Sequence, residues 1–140
     1  MYLGLDLGTS GVKALLIDAR QKVIATGHGE LDVSRPKAGW SEQKPADWLR
    51  ATEDAIDALK ATHGKQLAAV KGIGLSGQMH GATLLGKGDK VLRPCILWND
   101  TRSHAEAAAL DAQPAFRKLT GNIVFPGFTA PKLVWVKNNE

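Results

Sequence analysis

The chain has 140 residues, 44% of them hydrophobic and 23% charged. That is enough for one domain with its own core, and the composition excludes a chain disordered throughout. The 18 basic and 14 acidic side chains leave a net charge of +4. It is spread evenly, so the clustered patch of a nucleic-acid binder is missing. Cys95 is the sole cysteine, which excludes an intrachain disulfide and fits a reducing cytoplasm. No apolar run approaches the roughly 20 residues that a bilayer requires. Asp6 comes too early for the basic-then-apolar start of a signal peptide.

Residues 1–7 (MYLGLDL) alternate up to Gly8, which predicts a strand, and residues 11–17 (GVKALLI) predict a second. Only Gly8, Thr9 and Ser10 separate them, so they form a tight hairpin. Residues 22–29 (KVIATGHG) add a third strand and complete an antiparallel meander. Residues 34–44 are loop by composition. Pro45 suits the first turn of a helix. Its apolar face is Trp48, Leu49, Thr52, Ala55, Ile56 and Leu59, and it ends near His63 and Gly64. Residues 68–76 (AAVKGIGLS) read as a buried strand of a parallel arrangement.

Residues 82–85 and 91–92 flank Gly86-Lys87-Gly88-Asp89 as a second hairpin, and residues 95–98 (CILW) form a short apolar segment. Asp100 is placed to cap an alanine-rich helix over residues 105–112, Pro114 to start a short helix, and Thr129 to cap a last one. The chain stops directly after that helical run, without a glycine stop or polar tail, as expected of a cut. The fold class is α/β with a mixed sheet. A doubly wound sheet would place a helix after its first strand, and here a hairpin follows instead.

Four segments carry chemistry. In the first, Asp6 ends a strand, Gly8, Thr9, Ser10 and Gly11 form a turn, and Lys13 lies on the next strand. Such a turn can offer backbone N–H groups to phosphate oxygens, with Ser and Thr hydroxyls added. Asp6 would repel phosphate directly, so it makes sense facing a hydrated Mg²⁺. A plain hairpin turn accounts for the same glycines equally well. The spacing is neither a Walker loop nor a Gly-x-Gly-x-x-Gly turn.

The second segment is Gly77-Gln78-Met79-His80-Gly81, polar residues bracketed by glycines at a strand end, where Gln78 and His80 suit polyol hydroxyls. The third is Trp98-Asn99-Asp100, with Trp98 as a wall beside sugar C–H faces and Asn99 or Asp100 on hydroxyls. A core tryptophan with Asp100 as a helix cap explains it as well. The fourth, residues 127–135 with Lys132 and Trp135 at i and i+3, reads on its own as packing.

Together and in this order, these segments resemble the FGGY family of carbohydrate kinases. The Asp6-to-Ser10 turn is similar to the phosphate hairpin of the actin and sugar-kinase ATPase superfamily, with its ribonuclease H-like fold. Residues 127–139 (GFTAPKLVWVKNN) are similar to the family's Lys-x-x-Trp signature. Gly39-Trp40-Ser41-Glu42-Gln43, then Pro45 and Trp48, resemble its Trp-x-Glu loop. The Met79-His80 pair is similar to family members acting on D-xylulose, whereas glycerol-phosphorylating members carry Arg-Glu there.

The resemblance implies that Met79 and His80, beside Gln78, contact the sugar. Asp6 would support Mg-ATP, and Gly8, Thr9, Ser10 and Lys13 would sit near the transferring phosphate. Trp98, Asn99 and Asp100 would line the sugar pocket or shape it. The implied reaction moves the ATP γ-phosphoryl group to the C5 hydroxyl of D-xylulose. The proton-accepting aspartate and a second, ATP-binding domain would lie beyond Glu140, leaving residues 1–140 as the start of the sugar-binding domain and inactive alone. Other sugars (ribulose, gluconate, erythritol) and a non-catalytic binding module stay open as alternatives, as does a homodimer.

Overall fold

In the computed structural model, which describes residues 1–140, the predicted meander forms. Strands β1 (Tyr2–Leu7), β2 (Gly11–Ile17) and β3 (Val23–Glu30) pair antiparallel. Contacts divide the chain into two compact units, Met1–Val33 with Lys44–Gln78, and Ser34–Gln43 with Met79–Glu140.

The first unit is a four-stranded mixed sheet, ordered β3-β2-β1-β5 with β5 at Ile73–Gly77, and has one long helix on one face. Helix α1 (Pro45–Ala68) starts with proline in its first turn, as expected. It does not end at His63 and Gly64. His63 leaves helical geometry (φ −133°, ψ 36°), and the helix resumes beyond this kink. Its buried stripe is Ala51, Ala55 and Leu59, whereas Leu49, predicted for the apolar face, is exposed.

The reason lies on β3. A Cβ on Gly27 would stand 2.0 Å from the Ala55 carbonyl oxygen, and one on Gly29 1.9 Å from that of Ala51. Helix backbone therefore rests on strand backbone, and only small residues fit the contact. Leu3, Val12, Ala14, Leu16 and Leu31 complete this core. Gly29→Ala is expected to force the helix outward and lower stability by about 1–3 kcal/mol. A urea midpoint equal to the parent's would show that α1 does not bear on β3.

Strand β5 (Ile73–Gly77) pairs parallel with β1. It is shorter than the predicted strand, because residues 69–72 are loop, and every residue of it is exposed. The expected buried strand is thus an exposed edge. A helix about 10 Å across covers roughly two strands spaced 4.8 Å apart. Helix α1 lies on β2 and β3 and leaves β5 open.

The second unit holds a two-stranded ladder and three helices. Strand β4 (Glu42–Gln43), inside the stretch predicted as loop, pairs antiparallel with β6 (Cys95–Ile96). The second predicted hairpin closes through a single bridge, Leu85 to Val91, around a 3-10 turn at Lys87–Asp89. Helices α2 (His104–Asp111), α3 (Pro114–Thr120) and α4 (Thr129–Asn139) follow. Neither predicted capping side chain serves. Ser103 occupies the position before α2 and Phe128 that before α4. Thr129 already lies inside its helix, and Asp100 has other partners, described below. No helix is long and apolar enough to cross a membrane.

Candidate functional site

The residues expected on the phosphate side lie in the first unit. Alternation along β1 sends Leu3 toward α1 and Asp6 to the open face, where Asp6 is exposed. Its register partners are Lys13 on β2 and Ser76 on β5, and Lys13 in turn faces His28 on β3. Asp6, Lys13 and Ser76 line a cavity of about 310 Å³ with Gly4, Leu5, Leu15, Gly74 and Leu75. A larger hollow, about 490 Å³, lies on the helix face, but Leu5, Leu7, Val12, Leu49 and Leu75 make it mostly apolar and it holds no titratable group.

The turn between β1 and β2 is braced from three sides. Gly8 N–H donates to the Gly11 carbonyl (2.9 Å), and Leu31 N–H donates to that of Ser10 (3.1 Å). Gln78 donates its backbone N–H to the Leu7 carbonyl (3.2 Å) and its side-chain Nε2 to that of Gly8 (3.1 Å). Sequence motifs 70 residues apart are thereby joined. Gln78 has a positive φ of 44°, and Gly77 before it one of 117°. Only glycine suits that second position, since a Cβ would stand 2.2 Å from the Leu7 carbonyl oxygen.

A carboxylate, a lysine and a Ser/Thr turn on one face suit a polyphosphate. Nowhere do three or more His, Cys, Asp and Glu side chains gather to hold a metal. A single carboxylate matches Mg²⁺ that keeps its waters and binds mainly through nucleotide phosphates, and does not match an all-protein cage.

Met79 and His80 open the main stretch of the second unit. Met79 is 60% exposed. His80 has a φ of 60°, and its ring packs on Phe128 at 4.7 Å, with Phe125 edge-on to Phe128 at 5.8 Å. Trp98 is 48% exposed. Its backbone touches Gly127 so closely that a Cβ there would lie 2.5 Å from the Trp98 carbonyl oxygen. The Asn99 Oδ1 is buried without a hydrogen-bond partner. Asp100 differs. It is 1% exposed, and its carboxylate accepts from Ser41 N–H (2.6 Å), Arg102 N–H (2.9 Å), Arg102 Nε (2.9 Å) and Arg102 Nη2 (2.7 Å).

Sequence reasoning missed the cations around Asp100. Arg102 Nη1 stands 2.7 Å from Glu42 Oε1, and its guanidinium lies 3.7 Å from the Trp40 ring centroid and 5.1 Å from that of Trp135. The two indoles meet edge-on at 5.3 Å. Burial works against the Arg102 charge, but hydrogen bonds to Asp100 and Glu42 outweigh it and hold its pKa above the ordinary arginine value. Arg93 also pairs with Glu42 (2.5 Å). The one available signal was the Trp-x-Glu and Lys-x-x-Trp pair of motifs, whose indoles both lie against this arginine.

Lys132 is fully buried, and its Nζ donates to the carbonyls of His80 (2.8 Å) and Gly127 (2.7 Å). Burial lowers its pKa from 10.5 to about 8. Cys95 and Asp100 oppose that shift, and Arg102 adds to it. Below pH 8 both the folded and the unfolded chain hold this proton. Between pH 8 and 10.5 only the unfolded chain does, so this group makes stability rise with pH. Across that window the gain over a Lys132→Met variant amounts to about 3 kcal/mol. Urea denaturation of both proteins at pH 7 and pH 10 reads it. A gap that does not move with pH would mean that Lys132 stays protonated.

These features meet known proteins at one place. The FGGY family of carbohydrate kinases, N-terminal domain, matches residues 1–140, and the chain belongs to that family. It is 54% identical to the xylulose kinase of Klebsiella pneumoniae and 52% identical to that of Escherichia coli K12, in each case over all of this chain and 29% of the relative. The chain thus spans under a third of the length of these curated relatives.

Among solved structures, a xyloylose kinase from Brucella ovis superposes with a TM-score of 0.97 at 72% identity, over 99% of this chain and 29% of that one. A Plasmodium falciparum glycerol kinase with ADP superposes at 0.84 with 21% identity, covering 100% and 29% of the two chains, which shows the shared fold. The mixed sheet opening on a hairpin is that of the sugar-kinase ATPases, as the sequence resemblance implied.

Proposed function

We propose that this chain is the first part of the sugar-binding domain of an ATP-dependent kinase that phosphorylates D-xylulose to D-xylulose 5-phosphate. A second domain, for ATP, lies outside residues 1–140. The observation that carries the reading is the exposed Met79-His80 pair, in a chain whose curated relatives at 52–54% identity are xylulose kinases.

Met79 and His80 bind the ketose. His80 offers a ring nitrogen to a sugar hydroxyl, and Asn99 lines or shapes the same pocket. Trp98 walls the sugar. Asp100, with its oxygens engaged by Ser41 and Arg102, shapes this pocket rather than touching substrate. The Gln78 amide holds Gly8.

Gly8, Thr9, Ser10 and Lys13 receive the transferring phosphate, and the Lys13 ammonium offsets its charge. Asp6 holds Mg²⁺ through water. That ion supplies charge neutralisation on the phosphate oxygens when bound. Phosphoryl transfer depends mainly on positioning and on such neutralisation, and it needs a base for the hydroxyl proton. We place that base, an aspartate, outside residues 1–140.

The test is ADP release by the whole protein, as its gene encodes it, with D-xylulose and with ribulose, gluconate, erythritol and glycerol in parallel. Preferred turnover of D-xylulose supports the reading. Preferred turnover of another polyol replaces the substrate and keeps the kinase. Turnover of none would make this a binding module.

A further inference from the structure

We propose that Lys132 is a positioning residue for His80, its ammonium clamping the loop that presents the imidazole to the sugar; this rests on His80 being the sugar contact. Three observations converge. His80 is a non-glycine residue held at φ 60°, a conformation that persists only where the surroundings enforce it. Its carbonyl accepts from Lys132 Nζ at 2.8 Å, and the same Nζ reaches the Gly127 carbonyl at 2.7 Å. Phe128, next to Gly127, is the ring on which the His80 imidazole packs at 4.7 Å.

One cation thus ties the backbone of the histidine to the backbone that carries its packing partner. The imidazole is held at both its root and its face. Lysine suits this task because its ammonium has three donors on a flexible stem and can serve two carbonyls at once, whereas the planar arginine fork is built for carboxylates. Burying a charge with no carboxylate in direct contact is unfavourable. An apolar side chain of the same length would fill the space without that cost, but it could not bind the two loops.

The experiment compares the whole protein with its Lys132→Met variant, which keeps the stem and removes the donors. The expected result is a KM for D-xylulose raised at least about tenfold, with kcat and the KM for ATP within about threefold of the parent. The ¹³Cε1 resonance of His80, assigned by its loss in His80→Gln, should move from the position set by the Phe128 ring. An unchanged ketose KM with an unmoved His80 resonance overturns the inference. So does an equal rise in both KM values, which marks general loosening.

If the parent shows no sugar-kinase activity, the proposed function fails. The resonance then still decides: movement on Lys132→Met supports the clamp, and no movement overturns it. Should the variant not fold, a crystal structure of the unaltered protein decides. Lys132 Nζ within hydrogen-bond reach of the His80 carbonyl supports the clamp, and a longer separation overturns it.

Discussion

Replacing Arg102 by methionine lowers the stability of the second unit by about 3–5 kcal/mol, the expected cost of stranding buried charges. Methionine matches the stem of arginine and still packs against Trp40 and Trp135. It leaves the carboxylate of Asp100, 1% exposed, with only backbone donors, and leaves Glu42, 8% exposed, with Arg93 alone. The contact of the guanidinium with the Trp40 ring at 3.7 Å is lost as well.

Arg102→Lys should recover only part of the loss, because one ammonium cannot repeat the two parallel bonds to Asp100 at 2.9 and 2.7 Å. The double variant Arg102→Met with Asp100→Asn should be less destabilised than the sum of the two single changes, since it removes the stranded charge together with its partner. Chemical denaturation of the four proteins gives the coupling. Strict additivity would mean that the pair does not act as a unit.

The second large effect falls on activity. In the whole protein, His80→Ala should lower kcat/KM for D-xylulose by about tenfold to a hundredfold, chiefly through KM. The imidazole supplies a hydrogen-bonding group and an apolar face, and the variant loses both. The KM for ATP should stay near that of the parent, because the residues proposed for the phosphate belong to β1, β2 and the turn between them. Thermal unfolding must accompany the assay, since the Phe128 ring loses its partner at 4.7 Å. Unchanged kcat and KM would remove His80 from the site.

The elements that sequence reading placed well are the local ones. Strands β1 to β3 alternate over six to eight residues and are joined by short turns, so pattern and geometry agree. The Asp6–Ser10 turn and the Gly77–His80 segment were legible as motifs because glycine and polar residues cluster there. Three readings went astray where a local pattern met a distant surface. The apolar run before Ser76 looked buried, but α1 rests on β2 and β3, and no part of residues 1–140 covers β5. Leu49 fits a helical apolar face, yet the glycines of β3 select Ala51 and Ala55 instead. Asp100 fits a helix cap, yet it turns inward to Ser41 and Arg102.

Length, composition and charge by themselves determined a domain-sized chain without a disulfide framework, a clustered basic face or an apolar membrane span. The motifs in order determined its family. Only the tertiary structure decided which polar side chains go inside. The 44% of hydrophobic residues do not make the whole core, for Lys132, Asp100, Ser103, Ser41, Glu42 and Gln43 are buried too. A buried charge is tolerable only beside partners that satisfy it. Those partners stand far apart in the chain, Ser41 with Asp100 and Lys132 with His80, so no local window could show them.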